Sequence, residues 1–178
     1  MGAGVSTEGA PLTRVKCKNN LGVLFLGEAE KAFYDAATGP EGEETVPWLE
    51  AAAYVKTRDD AKARDLLERA LAIKERAYGR DHAELAITLT NLGEAVRRLG
   101  EPSKAVELLG RALSINEKAY GKDHVKAVFT LRDIGKAYCD LGDTAKARDF
   151  LQRAIPLFER ANNNSGAVWC RNKLKSLT

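Results

Sequence analysis

The sequence predicts an all-α solenoid of antiparallel helix pairs. Three observations carry that prediction: a 42-residue internal repeat, helical spacing of the apolar residues inside each unit, and glycines where one helix must stop before the next. The repeat is plainest in Ala70-Leu71-Ala72-Ile73-Lys74-Glu75-Arg76-Ala77-Tyr78-Gly79-Arg80-Asp81-His82. It returns 42 residues later as Ala112-Leu113-Ser114-Ile115-Asn116-Glu117-Lys118-Ala119-Tyr120-Gly121-Lys122-Asp123-His124. Self-similarity at a fixed period of this length marks units that cannot bury an apolar face alone and must stack on their neighbours. The same offset carries Leu92-Gly93, Val96, Leu99-Gly100, Ala105, Leu109 and Ala112 onto Ile134-Gly135, Tyr138, Leu141-Gly142, Ala147, Leu151 and Ala154. One period upstream, a degenerate copy remains in Ala51, Tyr54, Arg58, Ala63, Leu67 and Ala70.

Residues 1–44 form an N-terminal segment. Asn20-Leu21-Gly22 with Phe25, then Ala29, Phe33 and Ala36, contain both halves of a unit but lack the turn between them. This predicts one bent or continuous helix near 14–37 that caps the first full unit, followed by an exposed loop at 38–44. Three units occupy 45–161, with helices near 47–57, 60–78, 83–99, 102–120, 125–141 and 143–161. Pro47 and Pro102 fit the first turns of their helices. Gly93 and Gly135, with Ala105 and Ala147, let paired helices approach, while Val96, Leu99, Leu109 and Leu113 fill the seam. Gly100 and Gly142 end the first helices because glycine accepts the left-handed conformation. Asp81 followed by Glu84 is expected to cap the helix after it. In 162–178, Asn162-Asn163-Asn164-Ser165-Gly166 replaces the Tyr-Gly-Lys-Asp-His turn. A last helix near 166–176 carries Arg171, Lys173 and Lys175, as a solvated terminal cap would.

Composition narrows the function. The chain is 44% hydrophobic and 30% charged, which suits a folded soluble domain, and its net charge of +3 is too small to argue for nucleic acid. The longest strongly apolar run, Val23-Leu24-Phe25-Leu26, is far short of a membrane span. Cys17, Cys139 and Cys170 include no Cys-x-x-Cys pair, so they are expected to be reduced thiols packed as small apolar groups. Their odd number, with no signal peptide, points to a reducing intracellular compartment. That compartment is cytoplasmic by default, or the interior of a plastid or mitochondrion if a targeting segment precedes this sequence. No phosphate-binding loop, metal-ligand spacing or nucleophile–base order is present, so no catalytic residue, metal or cofactor is expected. His82 and His124 occupy equivalent turns and are expected to serve packing and capping. Asp59 and Asp60 start a helix, where they favour its dipole. Gly2, with Ser6 following, matches the myristoylation pattern. No polybasic stretch accompanies it, so membrane association is expected to be peripheral at most.

The small-x-x-aromatic-x-x-x-Gly pattern followed by Ala-x-x-x-Leu-x-x-Ala, met in the units around Gly93 and Gly135, resembles the tetratricopeptide repeat. The 42-residue length and the Tyr-Gly-Lys/Arg-Asp-His turn are similar to its kinesin-light-chain variety. The resemblance covers about 47–161 and implies a right-handed superhelix whose concave groove, lined by the inner faces of the first helices, binds protein or peptide segments. Those positions are Thr45, Trp48, Ala52, Val55 and Lys56 in the first unit. They are Ile87, Thr90, Glu94, Arg97 and Arg98 in the second, and Phe129, Arg132, Lys136, Cys139 and Asp140 in the third. Lys56, Arg97, Arg98, Arg132 and Lys136 outnumber Glu94 and Asp140. The expected partner is therefore an acidic segment with a hydrophobic anchor, held between Trp48 and Phe129. The carboxylate clamp of cochaperone members is absent as a set. Asn91 matches its asparagine, but Trp48, Ala52, Phe129 and Asp133 stand at the flanking positions. The expected role is a non-catalytic scaffold or adaptor. The alternative is a structural or assembly-factor subunit whose groove is filled by its own or a neighbouring chain.

Overall fold

The computed structural model describes residues 59–177, and the expected N-terminal helix, the helix near 47–57, Gly2 and the first-unit groove positions lie outside them. The described residues form six α-helices and no strand: α1 Asp60–Tyr78, α2 Leu85–Arg98, α3 Pro102–Tyr120, α4 Val128–Asp140, α5 Thr144–Arg160 and α6 Asn164–Lys175. Each helix packs on the next in sequence, and α2 also touches α4 across the repeat boundary. This is the stacked arrangement that the period requires. The first helices α2 and α4 form one layer, and the second helices α1, α3 and α5 form the other.

Short-range signals set the ends. Asp59, Asp143 and Asn163 accept backbone N–H bonds from Lys62, Lys146 and Gly166 and so cap α1, α5 and α6. Gly100 and Gly142, at φ of 84° and 76°, follow α2 and α4 in the left-handed region, as expected. The starts of α2 and α4 differ from the sequence expectation. Asp81 does not cap; it reaches Lys118 at 3.2 Å on the second-helix layer. Neither α2 nor α4 has a side-chain cap, and the histidine rings accept instead within the turns just before them. His82 Nδ1 accepts from the Glu84 N–H (3.3 Å) and His124 Nδ1 from the Lys126 N–H (3.2 Å). Each ring stacks on the tyrosine that ends the previous helix, Tyr78 at 5.0 Å and Tyr120 at 5.3 Å. The α-helices therefore begin a few residues later than expected, after a turn at His82–Glu84 and a 3-10 turn at Val125–Ala127. Pro156 lies inside α5 on its exposed face, so the Gln152 carbonyl that loses its helical partner faces water.

The close approach expected of Gly93 and Gly135 is present. A Cβ on Gly93 would stand 2.6 Å from Leu109 Cγ, and one on Gly135 2.7 Å from Leu151 Cγ. The core runs continuously through Leu92, Val96, Leu109, Leu131, Ile134, Leu151 and Leu157, all buried. The second helices are stapled at the repeat period: Arg111 binds Glu75 at 2.6 Å and Arg153 binds Glu117 at 2.8 Å. The next position in that series, Glu159, is taken by Arg171 of α6. Ala167 and Cys170 of α6 are buried, and its Gly166 sits against the Phe158 ring.

Candidate functional site

The first-helix layer gathers the predicted second- and third-unit residues on α2 and α4, whose equivalent positions lie side by side because α2 packs directly on α4. At the junction, Thr90 donates to the Ala86 carbonyl at 2.8 Å, leaving Thr130 to donate to Thr90 at 2.7 Å. Both threonines are buried. Thr90 therefore lies beneath the surface and ties the two helices, where the sequence placed it on the lining.

Toward the C-terminal ends of these helices the charged residues converge on Glu94. Arg97 approaches it through Nε (2.8 Å) and Nη2 (3.1 Å), Arg98 through Nε (3.1 Å), and Lys136 from α4 at 3.4 Å. Burial alone would raise the Glu94 pKa. The Arg97 hydrogen bonds and the charges of Lys136, Arg97 and Arg98 outweigh it and lower it to about 2. Arg97 also reaches Asp140 at 2.6 Å, and Arg98 reaches Asp60 of α1 at 3.5 Å. Asp133, which the groove count omitted, is buried and binds Arg132 at 2.8 Å and Lys136 at 2.9 Å. Burial works against the Arg132 charge, but the Asp133 hydrogen bonds and charge raise its pKa above the ordinary value. Arg97, Arg98, Arg132 and Lys136, the described cations expected in the groove, thus all have acidic partners, and the surplus of positive charge expected from counting shrinks accordingly. Part of the signal for these pairings was in the sequence. Glu94 and Lys136 are opposite charges one period apart, the distance between neighbouring first helices, whereas Asp140 pairs with Arg97, one residue off that period, and not with Arg98.

Apolar surface lies alongside. Ile87 and Phe129, one period apart, are 63% and 47% exposed, far more than large apolar side chains usually are. Phe129 meets Phe158 edge-to-face at 5.5 Å and lies 5.1 Å beneath the Arg132 guanidinium. The sequence treated α6 as a polar cap, yet it also presents Val168 and Trp169, the latter 5.4 Å from Lys136 Nζ. Cys139 is half-buried and Cys170 buried. Burial raises both thiols, Cys170 to about 11, which keeps it protonated and a poor nucleophile at neutral pH. Among the described residues no group of three or more His, Cys, Asp or Glu side chains could hold a metal ion. Nor is any described helix long and apolar enough to cross a membrane.

Stacked antiparallel helix pairs with a layer of facing first helices define a helical-repeat protein. The chain belongs to the tetratricopeptide repeat family, whose model matches residues 45–118 and 104–160. Similar solved structures include BtubC (BKLC) from P. vanneervenii, with TM-score 0.60 and 16% identity over 83% of this chain and 69% of that one. They also include the nearly identical kinesin light chain TPR-like repeats of Podosopora anserina, with TM-score 0.61 and 17% identity over 85% of this chain and 67% of that one. Identities this low bear on the fold alone. No curated protein matches the sequence. The repeat family makes this chain a protein–protein interaction scaffold in general terms.

Proposed function

We propose that the chain is a non-catalytic scaffold that holds a partner protein segment along its inner layer, the segment carrying acidic residues around a hydrophobic one. Phe129 is the observation that carries this reading. A half-exposed aromatic ring beneath a guanidinium, in line with exposed Ile87 one period away, offers an apolar seat with a cation at its edge. Trp48 would supply a second anchor and Lys56 further charge in the first unit. Arg98, 54% exposed along its side chain, is the most open of Arg97, Arg98, Arg132 and Lys136 to a partner carboxylate. Charge would steer encounter and choice of partner, while the aromatic contacts would slow release.

The test uses the partner recovered with the full chain from its native source. Arg97→Glu with Arg132→Glu should abolish its binding while the circular dichroism spectrum stays helical. Trp48→Ala should raise the off-rate, costing about 2 kcal/mol, and affinity should fall as salt rises. Full-strength binding by the charge-reversed protein would move the contact to the second-helix layer and end the groove reading. A concentration-dependent dimer in sedimentation, lost with the same substitutions, would instead favour a face filled by a neighbouring copy.

A further inference from the structure

The Arg97 guanidinium is held by a buried carboxylate on one edge and by a more exposed one on the other. Its Nε and Nη2 lie against Glu94, which leaves Nη1 as the nitrogen turned away from that carboxylate, and Asp140 occupies it at 2.6 Å. The two acids are held very differently. The Glu94 side chain is 15% exposed and fixed by Arg97, Arg98 and Lys136. The Asp140 side chain is 42% exposed, and Arg97 is its one ion-pair partner among the described residues. Asp140 is also the last residue of α4. A carboxylate there faces the negative end of the helix dipole and the unpaired terminal carbonyls, a place that suits a cation. One period earlier the equivalent position holds Arg98, which fits that rule. Asp140 is therefore an acid at an unfavourable helix position, held from across the repeat boundary and easily released to water.

We propose that Asp140 is a resident competitor: in the free protein it fills the anion seat on Arg97, and a carboxylate side chain of the partner segment binds by exchanging with it. This deepens the inner-layer reading above and rests on it. Exchange of one exposed ion pair for another is nearly neutral in Coulomb energy. A stray carboxylate thus gains little at this seat. A segment whose apolar residue also reaches Phe129 gains enough to displace Asp140. Asp140 lowers the affinity of every carboxylate ligand at this seat, so that only those with the added apolar contact bind appreciably.

The experiment is a fluorescence anisotropy titration of the full chain. One labelled peptide has glutamates flanking a central leucine, and a second has glutamine at every glutamate. Asp140→Asn keeps the shape and removes the charge, and Asp140→Ser is a second variant should the first fold poorly. Both should bind the glutamate peptide roughly threefold to tenfold more tightly than the unmodified chain. The glutamine peptide should be unaffected, and Arg97→Gln added to Asp140→Asn should cancel the gain. Equal or weaker binding of the glutamate peptide by the Asp140 variants would overturn the competitor role while leaving the acidic-segment reading standing. Absence of glutamate-peptide binding by every form would bring down both.

Discussion

Glu94 keeps its charge in a mostly buried position because three cations, two from its own helix and one from the next repeat, surround it. Its folded-state pKa is lowered to about 2, below the ordinary 4.5. A depressed carboxylate contributes stability that is complete above the unfolded value and lost as pH falls through the folded one. The stabilisation from Glu94 should therefore be full above about pH 4.5 and disappear as pH falls through about 2. Discounting for partial solvent screening, it should amount to about 2 kcal/mol at neutral pH. Urea denaturation of the unmodified chain and Glu94→Gln across this range checks it. The difference between the two should be largest near neutrality and shrink with acidification. A constant difference would mean that Glu94 acts by shape alone. The Glu94, Arg97 and Arg98 spacing was legible as a helical ion-pair pattern. The buried threonine pair was not, because nothing in local sequence distinguishes Thr90 on a surface from Thr90 against Thr130.

Among the elements, two glycines in helices have opposite consequences. Gly93 in α2 leaves no room for a methyl group, since its Cβ would overlap Leu109, which is itself fully buried. Gly110 in α3 is exposed, and a Cβ there meets nothing within 4 Å. Gly93→Ala should destabilise the fold by about 1–3 kcal/mol through overpacking. Gly110→Ala should stabilise it by up to about 1 kcal/mol through helix propensity. Thermal unfolding of both variants decides the matter, and a neutral Gly93→Ala would mean that the helix pair can separate without cost. The repeat pattern singled out Gly93 through its copy Gly135. The outcome at Gly110 depends on which face of α3 points to water.

For the whole molecule, each layer is buried by its neighbours, and the last unit depends on α6. Removing 162–178 would uncover Phe158 and Leu157, both fully buried, and strip Arg171 from Glu159. In a solenoid, stability is nearly a sum of unit and nearest-neighbour terms, so the loss should be local. Hydrogen exchange of the truncated chain should show protection in α5 falling roughly tenfold or more, with the change fading along the stack towards α1. An equal loss across all helices would show that the stack unfolds as one cooperative block.

From the sequence alone came the helix pairs, their period and their close-packed glycines, because repetition and side-chain spacing are local properties that survive without coordinates. The later starts of α2 and α4 needed the fold, since the turns before them are held by imidazoles that stack on the preceding tyrosines and accept a backbone N–H. The character of the first-helix layer needed it as well. Charge counting cannot tell a cation facing solvent from one already held by a carboxylate on the adjacent repeat. Only the packing of α2 on α4 brought Glu94 to Lys136 and Asp140 to Arg97. Likewise, Trp169 joined this surface only because α6 folds back over the end of the stack and lays its ring beside Lys136.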